Sequence, residues 1–282
     1  MYKISVTNDT GKTLNLTPNG KFTITSISGL LPPSADINNS TAGNADGAVF
    51  NGARLRPRNI VITILPNFPV EKNRLSLYEV FRVKKLVTVH YKNASRDIQI
   101  EGYVESVIGE LFAQSQTIQV SILCLDPYLK SAAEIVDDLS AIIDMFEFPF
   151  STEDEGIVFS EIAQTNSVII TNNGEAEAGL IIKLRTTGTV KNPIIYDATN
   201  VTGFGLNFTM LASDEITIDT RRGKKSVTLL RDGETYNLIN MIKDNPTWFS
   251  VAPGETVFTY SADTNLNFLY VKFFHYDLYE GV

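Results

Sequence analysis

The sequence predicts a mainly β protein, built as two β-sandwich or barrel-like domains joined by one helix. Three observations lead there. Apolar and polar residues alternate with period 2 through most of the first half, the mark of half-buried strands. One stretch near the middle, "SAAEIVDDLSAIIDMF" (Ser131–Phe146), has helical spacing instead. The second half returns to short strands separated by turn residues, the pattern of an antiparallel sandwich. At 282 residues the chain exceeds the roughly 100–200 residues of one domain, so two are expected.

The elements follow in order. "KISVT" puts Ile4 and Val6 on one strand face, and "NIVITIL" does so with Ile60, Ile62 and Ile64. "VTVHY" aligns Val87, Val89 and Tyr91, and "IQVSILC" aligns Ile118, Val120, Ile122 and Cys124. "RDIQIEGYVESVI" reads as a longer strand bent or bulged at Gly102. "KNRLSLYEVFRV" (Lys72–Val83) breaks the alternation and predicts a short helix packing Leu75, Tyr78 and Phe81. Pro32–Arg54 is small, polar and turn-forming. It is either a surface loop or an arm that orders against a neighbouring subunit.

In the middle stretch, Ser131 and Glu134 form a capping box. Ile135, Val136, Leu139, Ile142, Ile143 and Phe146 give one apolar stripe, and Pro149 ends the helix. The acidic "STEDEG" follows as a domain junction. The expected division is a first domain at 1–130, a connecting helix and junction at 131–150, and a second domain at 151–282. There, "SVIITNNGEAEAGLIIKL" predicts two strands joined at Asn173-Gly174. "LNFLYVKFFHY" is apolar on both faces and predicts a central strand or one pressed against the other domain.

Residues 1–130 hold 14 Lys/Arg and 10 Asp/Glu, a net +4; residues 131–282 hold 10 and 22, a net −12. Such a split suits a first half that docks and a second that faces solvent. No signal peptide or membrane-spanning stretch is read, so synthesis and folding in a cytoplasm are expected.

Catalytic chemistry finds little support. Cys124 is the single cysteine, and His90 and His275 are the two histidines, so no Cys/His zinc cluster is expected. Both histidines lie in strand patterns and are expected to have satisfied rings; Cys124 is expected to be a core thiol. "TGKT" resembles the end of a phosphate-binding loop, but Val6 stands where its first glycine belongs. "RRGKKS" (Arg221–Ser226) is a basic turn in an acidic half, a weak nucleic-acid signal. No catalytic residue, metal site or cofactor is expected. One stripe is more specific: Arg54, Arg56 and Arg58 recur at every second residue, placing three cations on one strand face. They are either edge protection or subunit-interface residues.

The chain resembles the distal tail proteins of siphovirus-type phages and prophage tails. The resemblance rests on segments in a consistent order: "ISGLLPPSA", "NGARLRPRNIVITI", "YEVFRVKKLVTVHYKNASRDIQIEGYVESV" leading to "ILCLDPYL", "MFEFPFSTEDEGIVFS" and "NPTWFSVAPGETVFTYSAD". It implies an N-terminal β-domain that forms a ring of six, and a C-terminal galectin-like sandwich carried on the outside. It implies a structural hub in the virion tail, not an enzyme, joining the tail tube protein to a tail-associated lysin or tail-spike protein. A receptor-binding protein is a further possible partner, and DNA would pass through the ring without specific binding. The alternative is a carbohydrate- or receptor-binding module in the C-terminal sandwich, with Trp248 as a candidate aromatic platform.

Overall fold

The computed structural model describes residues 2–17, 20–41, 43, 46–113, 116–138, 140–143, 161–164 and 167–282, with backbone alone for 140–143 and 161–164. The chain divides into two compact units. One comprises Met1–Ala132 and Leu278–Val282, the other Ala133–Asp277.

The first unit contains β1 (Lys3–Asn8), β2 (Thr13–Thr17), β3 (Phe22–Ser28), β4 (Ala35–Ser40), β5 (Val49–Leu55) and β6 (Arg58–Pro66). The helix α1 (Val70–Val80) follows, then β7 (Leu86–Lys92), β8 (Asp97–Gly109), β9 (Ile118–Cys124) and β10 (Leu129–Ser131). The main sheet runs β2-β1-β7-β8-β9-β6-β3, and β10 branches from β8. The alternation read from sequence is its cause: Ile4, Val6, Ile60, Ile62, Ile64, Val87, Val89, Val120, Ile122 and Cys124 all turn inward and are buried.

Two local expectations shift. In α1, Leu77 and Val80 enter the core while Leu75 and Tyr78 face outward; Phe81 is buried just past the helix end. Buried Asn73 fixes the helix start by donating to the carbonyl of Asn67, 2.9 Å away. In β8 the register break lies between Val104 and Ser106, not at Gly102. Gly102 instead allows β9 to approach: a Cβ there would stand 2.7 Å from Cys124 Sγ and from Ile122 Cγ2.

The connecting helix is overturned over its described part. Ser131 lies in β10, opposite Ile98 of β8, so it caps no helix. Ile135–Asp138 form β11 and Ser140–Ile143 form β12. Strand pairing outweighs the local helical pattern, because β-branched Ile135 and Val136 find a ladder on which Asp138 stands opposite Lys272. Those two form an ion pair of 2.7 Å. The rest of the predicted helix and "STEDEG" lie outside the described residues.

The second unit continues with β13 (Glu161–Gln164), β14 (Ser167–Asn172), β15 (Ala178–Gly179), β16 (Ile181–Thr186), β17 (Val190–Lys191), β18 (Ile194–Asp197) and β19 (Thr202–Gly205). Then come β20 (Thr209–Met210), β21 (Glu215–Asp219), β22 (Ser226–Arg231), β23 (Glu234–Asn237), β24 (Ser250–Val251), β25 (Gly254–Ser261) and β26 (Leu269–His275). The last strand, β27 (Leu278–Tyr279), pairs with β10 in the first unit's sheet. A six-stranded sheet, β11-β26-β16-β21-β22-β23, and a four-stranded one, β14-β25-β18-β19, share one core that includes Ile182, Phe204, Phe258, Val271 and Phe273. This is a sandwich. β26 is internal to its sheet, as its apolar sequence predicts. The Asn173-Gly174 turn does not close a hairpin: β14 and β16 belong to different sheets, and the chain crosses between them. Buried Asn172 holds the crossing through its amide nitrogen to Val251 O at 2.8 Å and its side-chain oxygen to Gly174 N–H at 2.8 Å.

Gly102→Ala will destabilise the protein by about 1–3 kcal/mol, because the new methyl overpacks the β8–β9 contact. The urea midpoint checks this; an unchanged midpoint would show that β9 moves aside freely.

Candidate assembly surface

The segment 32–54 is neither featureless nor packed: most of it folds as a hairpin. β4 pairs with β5 from Ala35↔Leu55 to Ser40↔Val49, with a bulge at Asn51, and among the described residues neither strand pairs with another. The alternation gives the hairpin two faces. Ile37, Phe50 and Ala53 lie on one, while Asp36, Asn38 and Arg54 lie on the other. Ile37 is 63% exposed and Phe50 66%. A lone two-stranded hairpin is marginal in water, and an exposed apolar face is a mark of contact with another surface.

The arm is rooted by a buried cation. Arg58 opens β6 and is 3% exposed. Its guanidinium donates to four backbone carbonyls: Gly29 at 2.7 Å, Leu31 at 2.8 Å, Pro127 at 2.8 Å and Glu280 at 2.5 Å. The first two precede the arm, the third follows β9, and the fourth belongs to the C-terminal segment. Burial pulls the pKa of Arg58 below its ordinary value. The planar five-donor fork of arginine suits this task, where a lysine would offer a point charge. Gly29 has φ +85°, and a Cβ there would meet Asn59 O at 2.1 Å, so this position needs glycine. Val282 N–H donates to Leu30 O at 3.2 Å, and Arg96 lies over the Tyr279 ring and donates to Gly281 O.

The three arginines therefore do not share one face. Arg54 and Arg56 are exposed on the arm and share one carboxylate, Asp36, at 3.3 and 2.5 Å. The hydrogen bond from Arg56 is the main cause holding Asp36 below the usual carboxylate range. Arg58 turns into the protein as the first residue of β6, after the break at Arg56–Pro57 that separates it from β5. Asp36 carried no signal of its own in a polar segment; only the register opposite Arg54 singles it out.

The residues weighed for chemistry sit apart. Burial raises the Cys124 thiol to about 12, so it is a core thiol rather than a nucleophile. His90 lies half-buried on β7, and burial lowers its pKa while nearby Asp97 opposes the shift. His275 is the exception to the expectation of a satisfied ring. It is 2% exposed, and neither ring nitrogen has a hydrogen-bond partner among the described residues. Asp137 Oδ2 and Asp277 Oδ1 stand 3.6 and 3.7 Å away. Burial raises the Asp137 carboxyl, against the pull of His275. Trp248 packs edge-on against Phe204 at 5.1 Å and has Lys225 over its ring at 5.5 Å, which is not an open platform for a sugar. In the basic turn, Arg221 is held by Asp219, and among the described residues no cluster of His, Cys, Asp or Glu fits a metal ion.

Arg58→Met will lower stability by about 3 kcal/mol or more, because four carbonyls lose a charged donor at once; Arg58→Lys will recover part of the loss. Chemical denaturation checks both. For His90, the lowered folded pKa means that the unfolded chain binds the proton first. Stability is therefore full above the unfolded value of about 6.5 and falls as the pH drops through it. His90→Gln will flatten the thermal midpoint against pH between pH 7 and pH 5.

Comparison with known proteins bears on this geometry. Residues 173–273 match the family model described as the C-terminal domain of the siphovirus-type tail component. No curated protein sequence matches the chain. Among solved structures, the crystal structure of SPP1 Dit, described as a paradigm of the hub adsorption apparatus in phages infecting Gram-positive hosts, is similar with a TM-score of 0.67. Identity is 12%, over 96% of this chain and 98% of that one. A chain of the phage P2 baseplate, in its activated conformation with Ca, gives a TM-score of 0.53 at 11% identity, covering all of both chains. The corresponding structure with Sr gives 0.55 at 11% identity. By sequence over residues 173–273 the chain is similar to the C-terminal domain of the siphovirus-type tail component, and over nearly its whole length it shares the fold of SPP1 Dit.

Proposed function

We propose that this protein is the structural hub at the distal end of a phage or phage-like tail. In this reading the first unit closes into a ring of six that joins the tail tube to the tail-tip or baseplate proteins. The carrying observation is the fold shared with SPP1 Dit over 96% of the chain, that protein being described as part of a hub adsorption apparatus. The free-standing β4–β5 arm supports it, since a subunit contact would cover its apolar face.

The domain roles follow the two units: Met1–Ala132 with Leu278–Val282 forms the ring, and Ala133–Asp277 supplies a galectin-like sandwich to which a tail-associated lysin, tail-spike or receptor-binding protein attaches. DNA passes through the ring without specific contacts. The role in this reading is structural rather than catalytic, and burial holds Cys124 as a thiol. The protein resides in the virion tail.

Light scattering across concentration, with negative-stain imaging, tests this reading. The expected species has about six times the 31.2 kDa mass of one chain and an open centre. A strict monomer, alone and with tail tube protein added, would overturn it.

A further inference from the structure

We propose that Asp137, His275 and Asp277 form a proton-operated tie, which holds β11, where the chain enters the sandwich, against the end of β26, where it leaves. The imidazole bridges the two carboxylates while it carries a second proton and frees β11 when that proton goes. The device lies wholly within the second unit and does not depend on the hub reading above.

Strand register brings the three groups together. Ile135 of β11 stands opposite His275 of β26, so Asp137, two residues on, shares that face and reaches the imidazole diagonally. Asp277 follows His275 by two residues and reaches the other ring nitrogen. The carboxylate oxygens stand 3.6 Å from Nδ1 and 3.7 Å from Nε2, too far for hydrogen bonds and too near for a water between. The imidazole is buried, and among the described residues neither of its nitrogens nor Asp137 Oδ2 has a hydrogen-bond partner. Buried polar atoms are nearly always paired, so three orphans in one contact point to a second state. A neutral imidazole has one N–H and turns a lone pair on the other carboxylate; an imidazolium has a donor for each. Closing each gap to a charge-assisted hydrogen bond takes a shift of about 0.8 Å.

Among the described residues, the other charges nearby are engaged elsewhere. On β11, Asp138 pairs with Lys272; just before it, Glu134 acts on Arg221, which Asp219 holds. On β16, the other neighbour of β26, Lys183 pairs with Glu215 at 3.0 Å. The crossing after β14 brings the Asn173 N–H, which donates to Asp277 Oδ1 at 3.0 Å, while its Glu175 and Glu177 are exposed. β11 is the edge of the six-stranded sheet, paired there with β26 alone. A doubly protonated His275 joins it to Asp277 and, through Asn173, to the crossing. Without that proton, two carboxylates flank a neutral imidazole. Burial, with Asp277 adding to it, holds the Asp137 carboxyl above its ordinary range. The tie is therefore present while His275 keeps its second proton and is lost as the pH rises past its release. On the acid side it ends where Asp137 takes up a proton of its own.

The test follows the two imidazoles of the full chain by NMR, with nitrogen-15 in the histidines and His90→Gln to assign them. His275 is expected to keep both ring protons at a pH where His90 has lost one. Asp137→Asn, which keeps the size and removes the charge, is expected to weaken proton binding at His275 by about tenfold or more. Hydrogen exchange on the wild-type chain gives the second reading. Protection of the β11 amides, corrected for the intrinsic pH dependence of exchange, is expected to fall about tenfold or more as His275 loses its second proton. In His275→Gln it is expected to stay level over the same range. A His275 that releases its proton no later than His90, or one whose titration ignores Asp137→Asn, would overturn the bridge. Wild-type β11 protection that does not follow the His275 titration would overturn the tie.

Discussion

A guanidinium taken out of water needs its donors answered, and Arg58 answers them with four backbone carbonyls from three separate parts of the first unit. All four of its hydrogen bonds run to backbone carbonyls, with the Glu280 carboxylate near enough to favour its charge. The consequence is geometric. The strand that carries Arg58 is pinned at its first residue to the segment leading into the arm, to the turn after β9 and to the end of the chain. The arm projects from a fixed root because of this one side chain. The root also depends on Gly29, whose missing Cβ lets the backbone pass Asn59.

The same clamp gives the chain end a structural role. The last residues leave the sandwich and return to the first sheet, where β27 pairs with β10. Arg96 and Arg58 hold the carbonyls of Gly281 and Glu280. The first unit is thus completed by sequence from both ends of the chain, and its folding requires contacts separated by more than two hundred positions. Between them the sandwich is inserted as a compact unit with its own core.

The two units differ in what they leave uncovered. The sandwich buries Phe204, Phe249, Phe258 and Phe273 in a run of ring contacts, while Tyr196, Tyr236 and Phe268 stay at its surface. The first unit buries its aliphatic strands equally well yet leaves Phe50 and Phe112 outside on hairpins. Apolar surface placed on projections rather than folded inward is a mark of contact with another surface.

The sequence by itself determined the strands whose period-2 pattern runs into one core: the alternation of Ile60, Ile62 and Ile64, or of Val87 and Val89, has one strand solution with one buried face. It also determined the two-part division, the sandwich character of the second half and the central place of β26. Tertiary structure decided the rest, for reasons that lie outside any local window. The apolar spacing from Ile135 fits a helix when read alone, but Ile135–Asp138 pair with β26 and Ser140–Ile143 pair with β13. The face that α1 buries depends on where the sheet lies, which spacing alone leaves open. Asn173-Gly174 marks a turn, but only the sandwich decides that the chain crosses between sheets there. The arginine triplet is the clearest case. Period 2 places Arg54, Arg56 and Arg58 together, and the break between β5 and β6 at Arg56–Pro57 separates them: two stay in water sharing Asp36, and the third goes inside to hold the unit together.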